Sequence, residues 1–280
     1  MTDTMAESSD YIKGLLYGPA KRRKTTYMAG AARLGKILAI DTEGNGWLKY
    51  PLRQRGIPLE NIVYRQASTY NDMESIFWEI EPRVESGEIT AVMIDHLSDL
   101  EQRFVRAATM ARQTKKAGLG KITNFRSAQD LIDTGVNPFQ TELGDYGVWT
   151  NMARHLMRLY RDLPCHVVFG AHYRIEHGKW VPGLTEKFRE ELMGSMNLII
   201  GADLHEFGQN DEDIIGVGVC REIGVWRGGD RIGITRPKTV NPSVDRLILA
   251  LNGKLDFATD TETLDFKERL DFKERLARGE

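Results

Sequence analysis

Short apolar runs that stop at glycine, proline or an acid alternate along this chain with longer stretches of helical periodicity. The runs "YIKGLLYG" (11–18), "KILAIDTEGNG" (36–46), "NIVYRQA" (61–67), "ITAVMID" (89–95) and "CHVVFGAHY" (165–173) have the length and punctuation of buried strands. Between them, "KTTYMAGAARLG" (24–35) reads as a helix closing at Gly35, and "NDMESIFWEIEPRVESG" (71–87) as a helix capped by Asn71 or Asp72. Residues 97–118 carry Leu97, Leu100, Phe104, Ala108 and Ala111 at helical spacing, and 146–163 form another amphipathic helix. Strands alternating with helices predict an α/β fold, with a mostly parallel central sheet flanked by helices.

After residue 197 the texture changes. "NLIIGADLHEF", "DIIGVGVCREIGVW" and "DRIGITR" are β-rich with acidic or glycine turns, which predicts a β-hairpin extension on the C-terminal side of the sheet. "PSVDRLILAL" (242–251) closes this part as a short helix or strand. The expected organisation is a disordered lead over 1–10, one domain over 11–256, and a charged tail over 257–280. The tail repeats LDFKER with a period of six. As a helix it pairs Phe266 with Leu270 and Phe272 with Leu276, but on different faces, so it reads either as a solvated tail or as a partner-binding segment.

Composition narrows the classes. At 280 residues, 41% hydrophobic and 28% charged, the chain has the make-up of an ordinary globular protein with a real core. The acidic N-terminus is not a signal peptide and no run reaches the length of a membrane span, so the expected location is the cytoplasm. Cys165 and Cys220 lie in apolar runs with no CxxC spacing and read as buried thiols. The histidines at 96, 155, 166, 172, 177 and 205 show no metal-ligand spacing, and there is no G-x-S-x-G. With a net charge of −2, any nucleic-acid surface must be local. One stretch qualifies: residues 103–126 hold seven Lys/Arg and no Asp/Glu.

Four strand ends carry chemistry. "YGPAKRRKTTYMAG" (17–30) places Gly18, Lys24 and Thr25 in register with the phosphate-binding loop pattern G-x-x-x-x-G-K-[ST], while Arg23 stands where the second glycine belongs. Lys24 is placed to reach phosphates and Thr25 to bind Mg²⁺, with Pro19, Lys21, Arg22, Arg23 and Thr26 completing the loop. "AVMID" ends an apolar strand at Asp95, a second candidate for the metal shell. "ILAIDTEG" leaves Glu43 at a strand end, where a carboxylate can orient a water. "VVFGAH" leaves His172 at another, able to donate to a phosphate oxygen.

In this order the motifs resemble the RecA/Rad recombinase superfamily, and most of all the phage-encoded RecA-like ATPases of the single-strand-annealing type, over roughly residues 11–251. The resemblance implies a RecA-like P-loop NTPase core that uses ATP and Mg²⁺, and a homo-oligomeric ring or filament that holds single-stranded DNA in the host bacterial cytoplasm. It gives Glu43 the water-polarising role and His172 that of the γ-phosphate sensor. It places DNA loops after Asp95, with Arg112, Lys115, Lys116, Lys121 and Arg126, and after the His172 strand, with Lys179 and Trp180 in "YRIEHGKWVPGLTEKFREE" (173–191). It also calls for a cation supplied to a neighbouring subunit's site, for which Arg231, Arg236 and Lys238 are candidates. The tail is then a candidate contact for a single-strand binding protein or another replication or recombination factor. Arg23, and Ala20-Lys21-Arg22 in place of small residues, depart from the family pattern. They keep two alternatives open: a non-hydrolytic nucleotide- or DNA-binding module with a degenerate loop, and a different P-loop enzyme such as a helicase motor.

Overall fold

Buried strands whose side chains alternate between the two faces set the layers. On β1 (Lys13–Tyr17), Leu15 and Tyr17 point to one face of the sheet and Leu16 to the other. The same alternation sends Leu38 and Ile40 of β2 (Ile37–Asp41) one way and Ile37 and Ala39 the other. β4 (Ala91–Asp95) repeats it, with Val92 and Ile94 opposed to Ala91 and Met93. Strands apolar on both faces need cover on both, which is why helices bracket this sheet.

The computed structural model describes residues 10–44, 49–118, 132, 134–137, 139–207 and 214–278. In chain order, α1 (Lys24–Ala29) follows β1, α2 (Lys49–Gln54) follows β2, and β3 (Ile62–Gln66) leads into α3 (Tyr70–Glu85). After β4 come α4 (Leu97–Lys116), α5 (Leu143–Arg161), β5 (His166–Ala171), β6 (Tyr173–Glu176), β7 (Lys179–Pro182) and α6 (Glu186–Ser195). The chain closes with β8 (Leu198–Glu206), β9 (Ile214–Val219), β10 (Gly229–Asp230), β11 (Lys238–Val240), α7 (Val244–Leu251) and α8 (Thr261–Arg278). The main sheet has nine strands in the order β11-β9-β8-β1-β5-β4-β2-β3, with β10 paired to β8. Pairing is parallel from β8 through β3 and antiparallel for β8–β9, β9–β11 and β8–β10. The α/β expectation, with a mostly parallel sheet and helices around it, holds.

One face of the sheet packs on α3, α4, α5 and α6 through Ile76, Phe104, Trp149, Tyr160 and Phe188. Trp149 is fully buried, with Phe104 and Phe188 each 5.3 Å away edge-on. The other face packs on α1, α7 and the loop that follows α7 through Met28, Val244, Leu247 and Phe257. Truncating Trp149, a fully buried side chain, to alanine would cost about 3–5 kcal/mol.

Several local expectations need correction. The helix after β1 ends at Ala29 and continues only as a 3₁₀ turn over Gly30–Arg33, where Arg33 pairs with Asp245 of α7 at 2.9 Å; Gly35 lies beyond both. The cap of α3 is Thr69 and not Asn71 or Asp72: its hydroxyl accepts from Asp72 N at 3.1 Å, and Asp72 accepts in return from Thr69 N at 2.8 Å. β8 is not an edge hairpin strand, because its first half runs parallel beside β1 and only its second half extends with β9. Residues 173–191 are not an open loop: they form the β6–β7 hairpin and the start of α6. The period-six repeat explains the tail. Phe266 of α8 packs on Val217 and Val240 beside Leu270, whereas Phe272, one repeat later and on another face, is exposed.

Candidate active site

Parallel register brings the four strand ends to one edge. Tyr17 lies beside Ala171 and Asp41 beside Asp95, so the residues that follow them, Gly18, His172, Thr42 and His96, leave the sheet together. This C-terminal edge is where open α/β sheets hold ligands. A cleft of about 550 Å³ opens there, lined by Lys21, Arg23, Lys24, Thr25, Glu43, His96 and His172.

The loop from Gly18 to Arg23 carries its own signature. Gly18 has φ +156°, and a Cβ there would meet the Ala202 carbonyl oxygen at 2.6 Å, so only glycine fits where β8 passes. Arg23, in the place of the second glycine, has φ 62° and ψ 13°, and Lys21 also has φ 62°. The left-handed conformation that glycine usually supplies is therefore kept by non-glycine residues, at a cost of about 1–2 kcal/mol each. Lys24 follows and is buried; its Nζ donates to the carbonyls of Gly18 at 3.0 Å and Pro19 at 2.7 Å. Burial pulls its pKa down to about 8, against the opposing pull of Asp95 and Glu43.

Thr25 and Asp95 meet. The Thr25 hydroxyl donates to Asp95 Oδ2, and the His96 amide donates to Asp95 Oδ1 at 3.0 Å. Burial raises the Asp95 pKa, while His96, Thr25 and Lys24 oppose that rise. Gly170 on β5 leaves room for the carboxylate, since a Cβ there would lie 2.7 Å from Asp95 Oδ1.

Glu43 is fixed from behind by the strand end. Asp41 Oδ1 accepts from the amides of Glu43 at 2.9 Å and Gly44 at 3.0 Å, and Arg103 donates to the Glu43 carbonyl at 3.1 Å. Its carboxylate faces two imidazoles, His96 Nδ1 at 3.0 Å and His172 Nε2 at 3.5 Å. The His172 amide donates to Ser98 Oγ at 3.1 Å, tying the end of β5 to the start of α4. Desolvation, with Lys24 and His96 adding to it, lowers the His172 pKa, so this imidazole is neutral at neutral pH.

The remaining predicted residues sit elsewhere or are engaged. Arg22 lies 3.7 Å from Asp203 across the mouth of the loop, and Thr26 lines the cleft. Arg112 is committed to α5, pairing with Asp145 at 2.9 Å and Glu142 at 2.7 Å. Lys115 and Lys116 are exposed in the last turn of α4, roughly 27 Å along the helix from the cleft end at 1.5 Å per residue. Lys121 and Arg126, with Phe125, lie outside the described residues. Lys179 donates to the Gly224 carbonyl at 2.8 Å and pairs with Glu222 at 3.3 Å. Trp180 is packed within the fold, 4.9 Å from Tyr173 and 4.5 Å from Trp226 between ring centres. Arg231 donates to the Gly194 carbonyl at 2.7 Å at the opposite edge of the sheet. Arg236 faces Asp256 at 3.6 Å, and Lys238 is exposed on β11.

The cleft also holds residues that strand-end reading does not find. Gln54 ends α2 and Arg55 follows it, and Leu204 and Ile214 supply an apolar wall from β8 and β9. His96 is the most informative of them. It directly follows Asp95, with φ 61° and ψ 46°, and the signal for it is simply its place after a strand-ending acid. No protein-family model matches the chain, and comparison with curated proteins finds none similar to it.

Proposed function

We propose that this protein binds Mg²⁺·ATP in the cleft at the C-terminal edge and hydrolyses it, as a RecA-like ATPase that works on single-stranded DNA as an oligomer. One observation carries the reading: the Thr25 hydroxyl rests on the Asp95 carboxylate with the Lys24 ammonium beside them on the loop carbonyls. A hydroxyl, a buried acid and a cation in that juxtaposition suit a metal-bound polyphosphate. The fit is chemical as well as spatial. Among the described residues Lys24 has backbone carbonyls as its hydrogen-bond acceptors, and burial depresses its pKa, so a phosphate oxygen would improve its surroundings.

In this reading Lys24 holds the phosphates, Thr25 and Asp95 hold Mg²⁺, and the metal supplies neutralisation of phosphate charge. Glu43, oriented through Asp41 and Arg103, accepts a hydrogen bond from the attacking water and takes its proton. Neutral His172 donates to a phosphate oxygen and links that contact to α4 through Ser98. Leu204 and Ile214 give an apolar wall suited to a base. Lys115 and Lys116 are the described cations best placed to follow a DNA backbone, because Arg112, Lys179 and Trp180 are engaged within the fold.

The test is ATP turnover with and without single-stranded DNA, for wild type, Glu43→Gln and a Lys115→Glu/Lys116→Glu double variant. Glu43→Gln is expected to lower turnover by roughly 10²–10⁴-fold while still binding ATP. The double variant is expected to lose DNA stimulation and flatten the salt dependence of DNA binding. Absence of turnover in wild type with ATP binding retained would move the protein to the second reading, a non-hydrolytic module. Arg23, standing where the second glycine of the phosphate-loop pattern belongs, favours that reading.

A further inference from the structure

We infer that Glu43, His96 and His172 form a binding site for one divalent transition-metal ion of the Zn²⁺ class, separate from the Thr25–Asp95 pair. The three ligand atoms form a nearly regular triangle. His96 Nδ1 lies 3.0 Å from Glu43 Oε1 and 3.4 Å from His172 Nε2, and His172 Nε2 lies 3.5 Å from Glu43 Oε1. Zn²⁺ bonds of about 2.0–2.2 Å in tetrahedral geometry separate neighbouring ligands by about 3.3–3.6 Å. The side chains thus already stand close to the spacing that a tetrahedral ion requires, with a fourth position to be filled from the cleft they line.

The outer contacts agree. His96 Nε2 faces Asp95 Oδ2 at 3.3 Å while its Nδ1 faces the triangle. With an ion at the centre, Nδ1 gives its lone pair to the metal and the imidazole proton sits on Nε2, on the side of the Asp95 carboxylate. That carboxylate–histidine–metal arrangement is the usual way a ligating imidazole is oriented. His96 is also held rigidly, in a left-handed backbone conformation with its carbonyl accepting from Thr42 Oγ1 at 2.9 Å. Strain of this kind persists where surroundings impose it, often at ligand sites.

Two imidazoles and one carboxylate select against Mg²⁺, which prefers all-oxygen shells, and for Zn²⁺, Co²⁺ or Ni²⁺. The site and the nucleotide cleft share Glu43 and His172, so an ion held there takes the carboxylate away from water.

The experiment is titration of the full chain with Co²⁺, without nucleotide, followed by visible absorption and equilibrium dialysis, with Zn²⁺ as competitor. One Co²⁺ per chain is expected, with the strong d–d bands of four- or five-coordination, displaced by Zn²⁺ and untouched by millimolar Mg²⁺. Glu43→Gln and His172→Ala should each remove the bands and weaken binding by at least tenfold, and Lys24→Ala should leave them in place. Glu43→Gln is nearly isosteric and His172 is half-exposed, so neither change empties the core. Weak octahedral bands, or bands that survive both variants, would overturn the assignment. Because no nucleotide is present, failure here leaves the ATPase reading standing, and failure of ATP binding leaves the metal site standing.

Discussion

Two lysines stand at opposite ends of β1, and burial pulls both down to a pKa of about 8. Lys13 opens the strand and donates to the carbonyls of Leu163 at 2.6 Å and Cys165 at 2.7 Å. Lys24 stands past its other end and donates to the carbonyls of Gly18 and Pro19. The cleft at the Lys13 end, about 1060 Å³, is the larger of the two and includes Arg161, Asn197 and Arg231. Neither titration nor cavity size therefore separates a functional lysine from a structural one here. The neighbours do. Lys24 shares its cleft with Glu43 and two histidines, beside the buried Thr25–Asp95 pair, whereas Lys13 ties the turn before β5 to the start of β1.

Truncating each lysine in turn puts the largest strain on this comparison. Lys24→Ala is expected to weaken Mg²⁺·ATP binding by roughly 10–100-fold, the worth of one charged hydrogen-bonding group, and to lower stability by about 1–2 kcal/mol as the Gly18 and Pro19 carbonyls lose their donor. Lys13→Ala is expected to lower stability by a similar amount, about 1–2 kcal/mol, since two carbonyls lose their donor there as well, but with ATP affinity intact. Calorimetric titration and urea unfolding of the two variants read both quantities. Equal loss of ATP affinity in both would erase the distinction between the two ends.

The sheet edge was legible from sequence because each of its residues ends an apolar run. Gly18, Glu43, Asp95 and His172 follow strands that pair in parallel, and parallel strands deliver their ends to one side without further information. What was not legible depends on contacts between distant segments. Trp180 reads as an exposed stacking platform until Trp226 is brought against it, and Arg112 as a free cation until Asp145 arrives from the next helix. The Glu43–His96–His172 cluster has no sequence spacing to recognise, because its members come from three strand ends. The sixfold repeat of the tail gives no single apolar stripe, and only the docking of Phe266 on β9 and β11 shows which copy packs.

A pH series sharpens the comparison with a smaller effect. A bound phosphate raises the pKa of the lysine that holds it, so the protonated form of Lys24 binds better. ATP affinity should be flat below pH 8 and fall by up to about tenfold per unit above it, until the pKa of the complex is reached. Lys13→Ala should show the same profile and Lys24→Ala none. A fall that persists in Lys24→Ala would assign the titration to another group.

Backbone conformation distinguishes the two ends as well. Lys21, Arg23 and His96 all have left-handed φ and all line the cleft at the Lys24 end, while among the described residues none of the residues lining the Lys13 cleft does. Strain gathered on one side of a sheet is expected where a ligand, and not stability, has set the conformation. Arg23→Gly tests this with the smallest change. Glycine adopts φ 62° without a Cβ penalty, so the variant should gain up to about 1 kcal/mol in unfolding free energy after the entropy cost of glycine is subtracted. Since Arg23 already holds the loop in the conformation glycine would give it, ATP affinity should shift by less than about tenfold, the effect of one peripheral cation. A larger gain in affinity would show that the arginine side chain, and not the backbone it sits on, limits the loop.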